Sequence, residues 1–284
     1  MPTLQSFHSG DLARPTLLFL PAMGVPVSYY QPFLDRLQAA GARVRPMDLP
    51  GQGSSPLRAR RGDDYGYREV VEELVPQTVR TARAEWPQAP LFLVGHSLGG
   101  QLAVLACAEV ADSIQGLAVI AAGTAHWRSW PARSRWRAAL TIHALSLLAR
   151  VLPFYPGSRI GFGGDQSRRF MRDWSFNART GAYRLEGGRV DRHTRESALR
   201  GVRLPVLALS IAGDAVAPGG ALRELLGLLP AAEVTHACSR GDAAQGAWRR
   251  HFTWARQAAG IEEKLLAWLA VQADRSPLLT HAES

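Results

Sequence analysis

The decapeptide Leu91–Gly100 reads LFLVGHSLGG, an apolar run ending in a serine that has glycines two positions before and after it. A serine hydroxyl is a weak nucleophile unless a base takes its proton and an acid orients that base, so Ser97 poses a search for partners. Gly95-x-Ser97-x-Gly99 between a strand and a helix makes a turn so tight that side chains at the glycine positions would strike the backbone. It would also hold the hydroxyl at the carboxyl edge of a sheet, where open α/β sheets bind ligands. The chemistry implied is attack on an acyl carbonyl. The plainer alternative is a glycine-rich turn with an incidental serine.

Where a serine stands on such a turn, the acid and then the histidine follow it along the chain. Asp214 lies in Ala212-Gly-Asp-Ala-Val-Ala-Pro218, directly after the apolar segment Pro205–Ile211, and is the candidate acid; otherwise it is a turn or capping residue near Pro218. Asp48 comes too early and is expected to tie down its own Gly-rich loop. Of eight histidines, His8, His96, His126, His143 and His193 precede Asp214 and His281 is near the end of the chain. His96 adjoins the serine and is expected to pack. His236 and His251 remain as candidate bases. His236 falls inside the strand-like stretch Glu233–Ala237, whereas His251 follows it, where the base is expected, so His251 is favoured and His236 stays as the alternative. This choice predicts an extended loop through Ser239–Arg250. An oxyanion needs two donors: the Leu98 N–H at the start of a helix, and by position the Met23 N–H in Pro21-Ala-Met-Gly-Val after the first strand.

The elements that must position these groups alternate. Short apolar runs at Thr16–Leu20, Ala42–Met47, Leu91–Val94, Ile114–Ile120, Pro205–Ile211 and Glu233–Ala237 predict strands. Helical patterns lie at Ser28–Ala39, Tyr67–Glu85 with a kink at Pro76, Leu98–Val110, Ala221–Leu229 and Ile261–Ala273. Repeated strand–helix units imply a doubly wound, mostly parallel α/β sheet. The alternation lapses from Thr124, so the chain divides into a core of residues 1–123 and 201–284 and an inserted helical cap of residues 124–200.

The 284 residues, 46% hydrophobic and 20% charged, are enough for a sizeable buried core. The net charge of +9 comes from scattered arginines with Lys264 as the lone lysine; without a dense basic block, nucleic-acid binding is not expected. Cys107 and Cys238 lack metal-type spacing and are expected to be reduced core thiols. No metal or organic cofactor is required. The N-terminal stretch has no signal-peptide core, the apolar run Ala138–Leu152 is interrupted by His143 and Arg150, and the tail after Ser276 is expected to be loose, so a cytoplasmic location without a transmembrane segment is expected.

The phrases PAMGVPVSYYQPF, VGHSLGGQ, AAGTAHWRSWP, FYPGSRIGFGGD, PVLALSIAGDAVAP and RHFTWAR occur in an order that resembles a bacterial family of α/β hydrolases described as serine esterases. That family is related to the monoacylglycerol lipase and serine aminopeptidase branch. The resemblance covers roughly residues 14–256. It implies the α/β-hydrolase fold, a triad of Ser97, Asp214 and His251, and oxyanion donors at Met23 and Leu98. Two features depart from the wider pattern: Arg250 rather than glycine precedes His251, and Pro21-Ala22 replaces the usual His-Gly. The aromatic residues Trp127, Trp130, Trp136, Phe154, Tyr155, Phe162, Trp174 and Phe176 fall in the cap. Placed over Ser97 they would form an apolar pocket for a small-molecule acyl substrate, with Trp127, Trp130 and Trp174 as the candidate contacts, although a small cap also needs aromatics for its own core. Cap arginines such as Arg128, Arg133, Arg135 and Arg137 are expected to be solvated. The function expected is hydrolysis of a carboxylic ester, or of a thioester or amide. An acyltransferase using the same residues, and a ligand-binding α/β-hydrolase-fold protein without chemistry, are the alternatives. Oligomeric state is not legible in the sequence.

Overall fold

The computed structural model describes residues 14–242, 244–257 and 260–275. His8, His281, the N-terminal stretch and the tail after Ser276 lie outside the described residues. Six strands form one parallel sheet: β1 (Thr16–Leu20), β2 (Arg43–Pro46), β3 (Leu91–His96), β4 (Gly116–Ile120), β7 (Pro205–Ile211) and β8 (Glu233–Ser239), in the order β2-β1-β3-β4-β7-β8. The central strands are buried on both faces, and period-two alternation divides their side chains between two cores. Leu91 and Leu93 of β3 join the core on one face, and Phe92 and Val94 join the core on the other.

Helix α1 (Gln31–Ala39) packs on the second face, together with α10 (Ile261–Asp274). On the first face lie α2 (Val75–Glu85) and α3 (Leu98–Val110). Nearly every α3 side chain is buried, as suits a helix apolar on all sides. The expected kink near Pro76 takes a specific form. A π-helical segment, Glu69–Leu74, leads directly into α2. Pro76 has no N–H to donate and its ring crowds the carbonyl four residues earlier, so the preceding turn widens.

Between β4 and β7 come α4 (Ala132–Val151), β5 (Tyr155–Pro156), α5 (Gly157–Ile160), β6 (Asp165–Gln166), α6 (Arg168–Thr180) and α7 (Arg192–Gly201). The two short strands pair antiparallel. Phe170, Met171 and Trp174 of α6 join the core on the α3 face, so this segment is packed onto the sheet domain. Beyond β7 follow α8 (Gly219–Leu226), β8 and α9 (Ala247–Thr253).

Two expectations need correction here. His251 does not lie in a loop: it sits on α9, and the turn before it extends only to Gly246. Cys238 is exposed while Cys107 is buried, because β8 is the edge strand and presents most of one face to solvent. No helix among the described residues is long and apolar enough to cross a membrane.

Candidate active site

Ser97 lies between the end of β3 and the first turn of α3, with φ 53° and ψ −119°. This is an unfavourable backbone region for a residue with a Cβ, sustained by the strand and helix that clamp it on either side. The flanking glycines are required by contact. A Cβ on Gly95 would come within 2.5 Å of the Gly100 nitrogen, and one on Gly99 within 2.3 Å of the Leu20 carbonyl oxygen.

The chain downstream folds back to this serine. His251 Nε2 stands 2.8 Å from Ser97 Oγ, and His251 Nδ1 stands 2.7 Å from Asp214 Oδ2. His251 is fully buried and Asp214 nearly so. The Asp214 carboxylate divides its duties. Oδ1 accepts from the Val216 and Ala217 N–H groups at 2.7 and 3.2 Å, which fixes its own turn, and Oδ2 faces the imidazole. Thus the turn-forming role and the imidazole-holding role coexist in one side chain. On the other side, the Trp254 indole donates to the His251 carbonyl at 2.9 Å. Arg250 explains how α9 tolerates a large residue before the histidine: its guanidinium donates to the Ala212 and Gln245 carbonyls, fastening α9 to the Asp214 loop. His236 is exposed in the middle of β8, opposite Ala208, away from this arrangement.

Leu98 is the first residue of α3, where an N–H has no acceptor within its own helix. Met23 lies in the turn after β1, and its neighbours are held tightly. The Ala22 N–H donates to the Tyr30 hydroxyl at 3.0 Å, and the Gln52 amide donates to the Ala22 and Val25 carbonyls at 3.2 and 3.1 Å. From the segment between β4 and β7, the backbone of Gly163 and Gly164 closes on the same turn. Gly24 has φ +74°, and a Cβ there would lie 2.3 Å from the Gly163 carbonyl carbon. Asp48 ties down its own loop, accepting from Val27 N–H and from both Ser54 N–H and Oγ–H.

His96 packs, and it also bonds. It is fully buried, with Nδ1 2.7 Å from the Tyr30 hydroxyl. Its ring lies 4.8 Å from that of His251. Burial, reinforced by the adjacent His251, pushes its pKa well below the usual histidine value, so the ring is neutral. The assignment leaving fewest groups unmatched has Tyr30 accepting from Ala22 and donating to His96 Nδ1. Burial also keeps the Tyr30 phenol protonated, its pKa raised. Tyr30, Gln52, Gly24 and the Gly163–Gly164 pair escaped sequence reasoning. The one available signal was His96: a buried histidine needs a polar partner, and the tyrosine pair at 29 and 30 precedes α1.

Among the described residues the rings that meet His251 are those of His96 and Phe252, and none of the three candidate tryptophans does. Trp174 is buried and meets Phe162 edge-on at 5.4 Å, beside the loop that touches Gly24. Trp130 donates through Nε1 to the carbonyl of Ala215, next to Asp214, at 3.3 Å. Trp127 is half-buried against the α3-side core with Arg128 over its ring. Trp136 is exposed on α4, with Arg137 over its ring. Among the described residues no group of three or more His, Cys, Asp or Glu side chains is placed to hold a metal ion.

A parallel sheet with a serine on a strained strand-to-helix turn, faced by a histidine and an aspartate from late in the chain, defines an α/β-hydrolase. The chain belongs to the serine aminopeptidase S33 family, whose model matches residues 12–185. A monoglyceride lipase of Rattus norvegicus is 35% identical over 65 residues, covering 21% of this chain and 22% of that relative. The match therefore spans about a fifth of the relative's length. Two solved structures share the fold over most of their lengths. The monoacylglycerol lipase of Paleococcus ferrophilus has a TM-score of 0.57 and 16% identity, covering 90% of this chain and 94% of that one. A structure from a study of carboxylesterases of Nitrososphaera gargenis has a TM-score of 0.55 and 15% identity, with 94% of each chain covered.

Proposed function

We propose that this hydrolase is a serine hydrolase that cleaves a carboxylic ester, with thioesters and amides as related acyl substrates, through an acyl-enzyme on Ser97. The observation that carries the reading is the unbroken hydrogen-bond run from Ser97 Oγ through both nitrogens of His251 to Asp214. Ser97 Oγ attacks the acyl carbonyl while His251 Nε2 takes its proton. Asp214 holds the Nδ1 proton, selecting the tautomer and stabilising the imidazolium. The negative charge on the former carbonyl oxygen is met by the N–H groups of Met23 and Leu98, each contributing about 3 kcal/mol. Collapse expels the alcohol, which receives the proton from His251. Water, deprotonated by the same nitrogen, then releases the acid and restores Ser97. No step calls for a metal or organic cofactor.

The ester preference draws support from the relatives, which are named as monoglyceride lipases and carboxylesterases. Trp127, Trp130 and Trp174 are assigned to the substrate side, with Trp174 and Phe162 as apolar surface near the Met23 loop and Trp130 beside the Asp214 loop. A panel of esters with graded acyl length, assayed with wild type and Ser97→Ala, tests the proposal. Hydrolysis by wild type, with a fall of about 10⁴-fold or more in Ser97→Ala, is expected. Equal hydrolysis by both proteins rules it out.

A further inference from the structure

Helices α4 and α6 pack side by side, and each presents small polar and arginine side chains to a cavity of about 110 Å³ between them. Ser146 and Arg150 come from α4. Arg172, Ser175 and Arg179 come from α6, where spacings of three and four residues put them on one face. Arg184 completes the lining, carried back by the turn at Gly181, whose φ is +78°.

Four guanidiniums share this small space, and few carboxylates face them. Glu186 pairs with Arg172 at 3.0 Å and with Arg184 at 3.4 Å, and Asp173 lies 3.6 Å from Arg184. Arg150 and Arg179 have no carboxylate partner among the described residues. Arg179 Nε donates to the Ser175 carbonyl, and Arg184 stacks 4.9 Å from the Phe176 ring centre. Burial raises the Asp173 pKa to about 7, so its carboxyl is only partly charged at neutral pH. Four positive charges, less Glu186 and the partial charge of Asp173, leave a surplus of about two to three. The surplus bears on Arg179, whose pKa is lowered by burial and by the adjacent Arg150 and Arg184. Ser175 is 4% exposed, and its hydroxyl has no hydrogen-bond partner among the described residues. An unmatched buried hydroxyl beside surplus guanidiniums is an incomplete set of donors.

We propose that the cavity between α4 and α6 binds a phosphate group, held by Arg150, Arg172, Arg179 and Arg184 with the Ser175 hydroxyl as a further donor. The surplus charge suits a dianion better than a single carboxylate. A cavity of about 110 Å³ has room for one tetrahedral oxyanion. Either inorganic phosphate or a small organic phosphate monoester offers this chemistry.

Thermal unfolding of the full chain in phosphate, against chloride and acetate at equal ionic strength, tests the site without reference to catalysis. Wild type and Ser97→Ala should both show a Tm that rises with the logarithm of phosphate concentration above Kd, beyond any rise in chloride or acetate. The double variant Arg150→Gln/Arg179→Gln should lose at least about tenfold in phosphate affinity, the worth of one charge-assisted hydrogen bond. Neither arginine has a carboxylate partner among the described residues, and the double variant loses only the Arg179 Nε bond to the Ser175 carbonyl, so its Tm in chloride should fall by no more than that one hydrogen bond costs. Glycerol 1-phosphate as a second probe separates the sources: tighter binding than inorganic phosphate assigns the site to an organic monoester, and weaker binding assigns it to the free ion. A wild-type Tm that is the same in phosphate and chloride overturns the proposal. So does a double variant that responds to phosphate like wild type.

Discussion

Replacing Tyr30 by phenylalanine deletes one oxygen and keeps the ring, which packs edge-on against Phe19 and Tyr29. The lost hydroxyl serves two buried groups at once, the Ala22 N–H at 3.0 Å and His96 Nδ1 at 2.7 Å. Each loses its partner in a fully packed region, and an unmatched buried polar group costs about 1–3 kcal/mol. Tyr30→Phe should therefore destabilise the protein by about 2–6 kcal/mol, read as a lower urea midpoint at unchanged slope. The kinetic consequence is more specific. Ala22 adjoins Met23, and the Tyr30–His96 bond braces the ring that packs at a tilt against His251. A displacement of either group by a fraction of an ångström weakens bonds to the transition state more than bonds to the substrate. The kcat for a good ester should fall by about 10- to 100-fold with KM little changed. A variant that unfolds at the wild-type urea concentration and keeps its kcat would refute the claim that this hydroxyl holds the Met23 turn.

Comparison of His251→Ala with His236→Ala should show ester hydrolysis abolished by the first and untouched by the second; the reverse would move the base to β8. Gly24→Ala should lose more stability and activity than Gly161→Ala. Both share a positive φ, but a Cβ on Gly161 meets nothing within 4 Å, whereas on Gly24 it would lie 2.3 Å from the Gly163 carbonyl carbon; equal losses measured by urea melts and ester turnover would deny the backbone contact. Asp173 has a native pKa of about 7, raised from 3.8 mainly by burial, so the folded state binds this proton more tightly than the unfolded one. Its contribution to stability is full below about pH 4 and disappears as pH rises toward 7. One proton changes stability by about 1.4 kcal/mol per pH unit, on the order of 4 kcal/mol across that window. The wild-type minus Asp173→Asn difference in urea stability should shrink across it, and a difference independent of pH would contradict the assignment.

Much of the sheet was legible because parallel strands buried on both faces read as unbroken apolar runs, as Thr16–Leu20 and Pro205–Ile211 do. Ser97 was legible because the turn leaves room only for glycine at two fixed positions. His251 emerged by elimination, but its helix did not. The stretch from Ala247 to Thr253 is short, rich in arginine and aromatic residues, and carries no apolar period long enough to read. Tyr30, Gln52 and the Gly163–Gly164 pair were invisible for another reason. Their roles depend on contacts between segments far apart in the chain, and no local pattern encodes which carbonyl a glutamine amide will reach. The aromatics between residues 124 and 200 divided for the same reason: Trp136 and Trp174 are alike in composition, yet one faces solvent and the other the core.

Reaction of the intact protein with a fluorophosphonate, followed by peptide mass spectrometry, tests the proposed nucleophile most directly. A single phosphonyl adduct on Ser97 is predicted, absent in Ser97→Ala and strongly slowed in His251→Ala. An adduct on another residue, or undiminished labelling of Ser97→Ala, would contradict it.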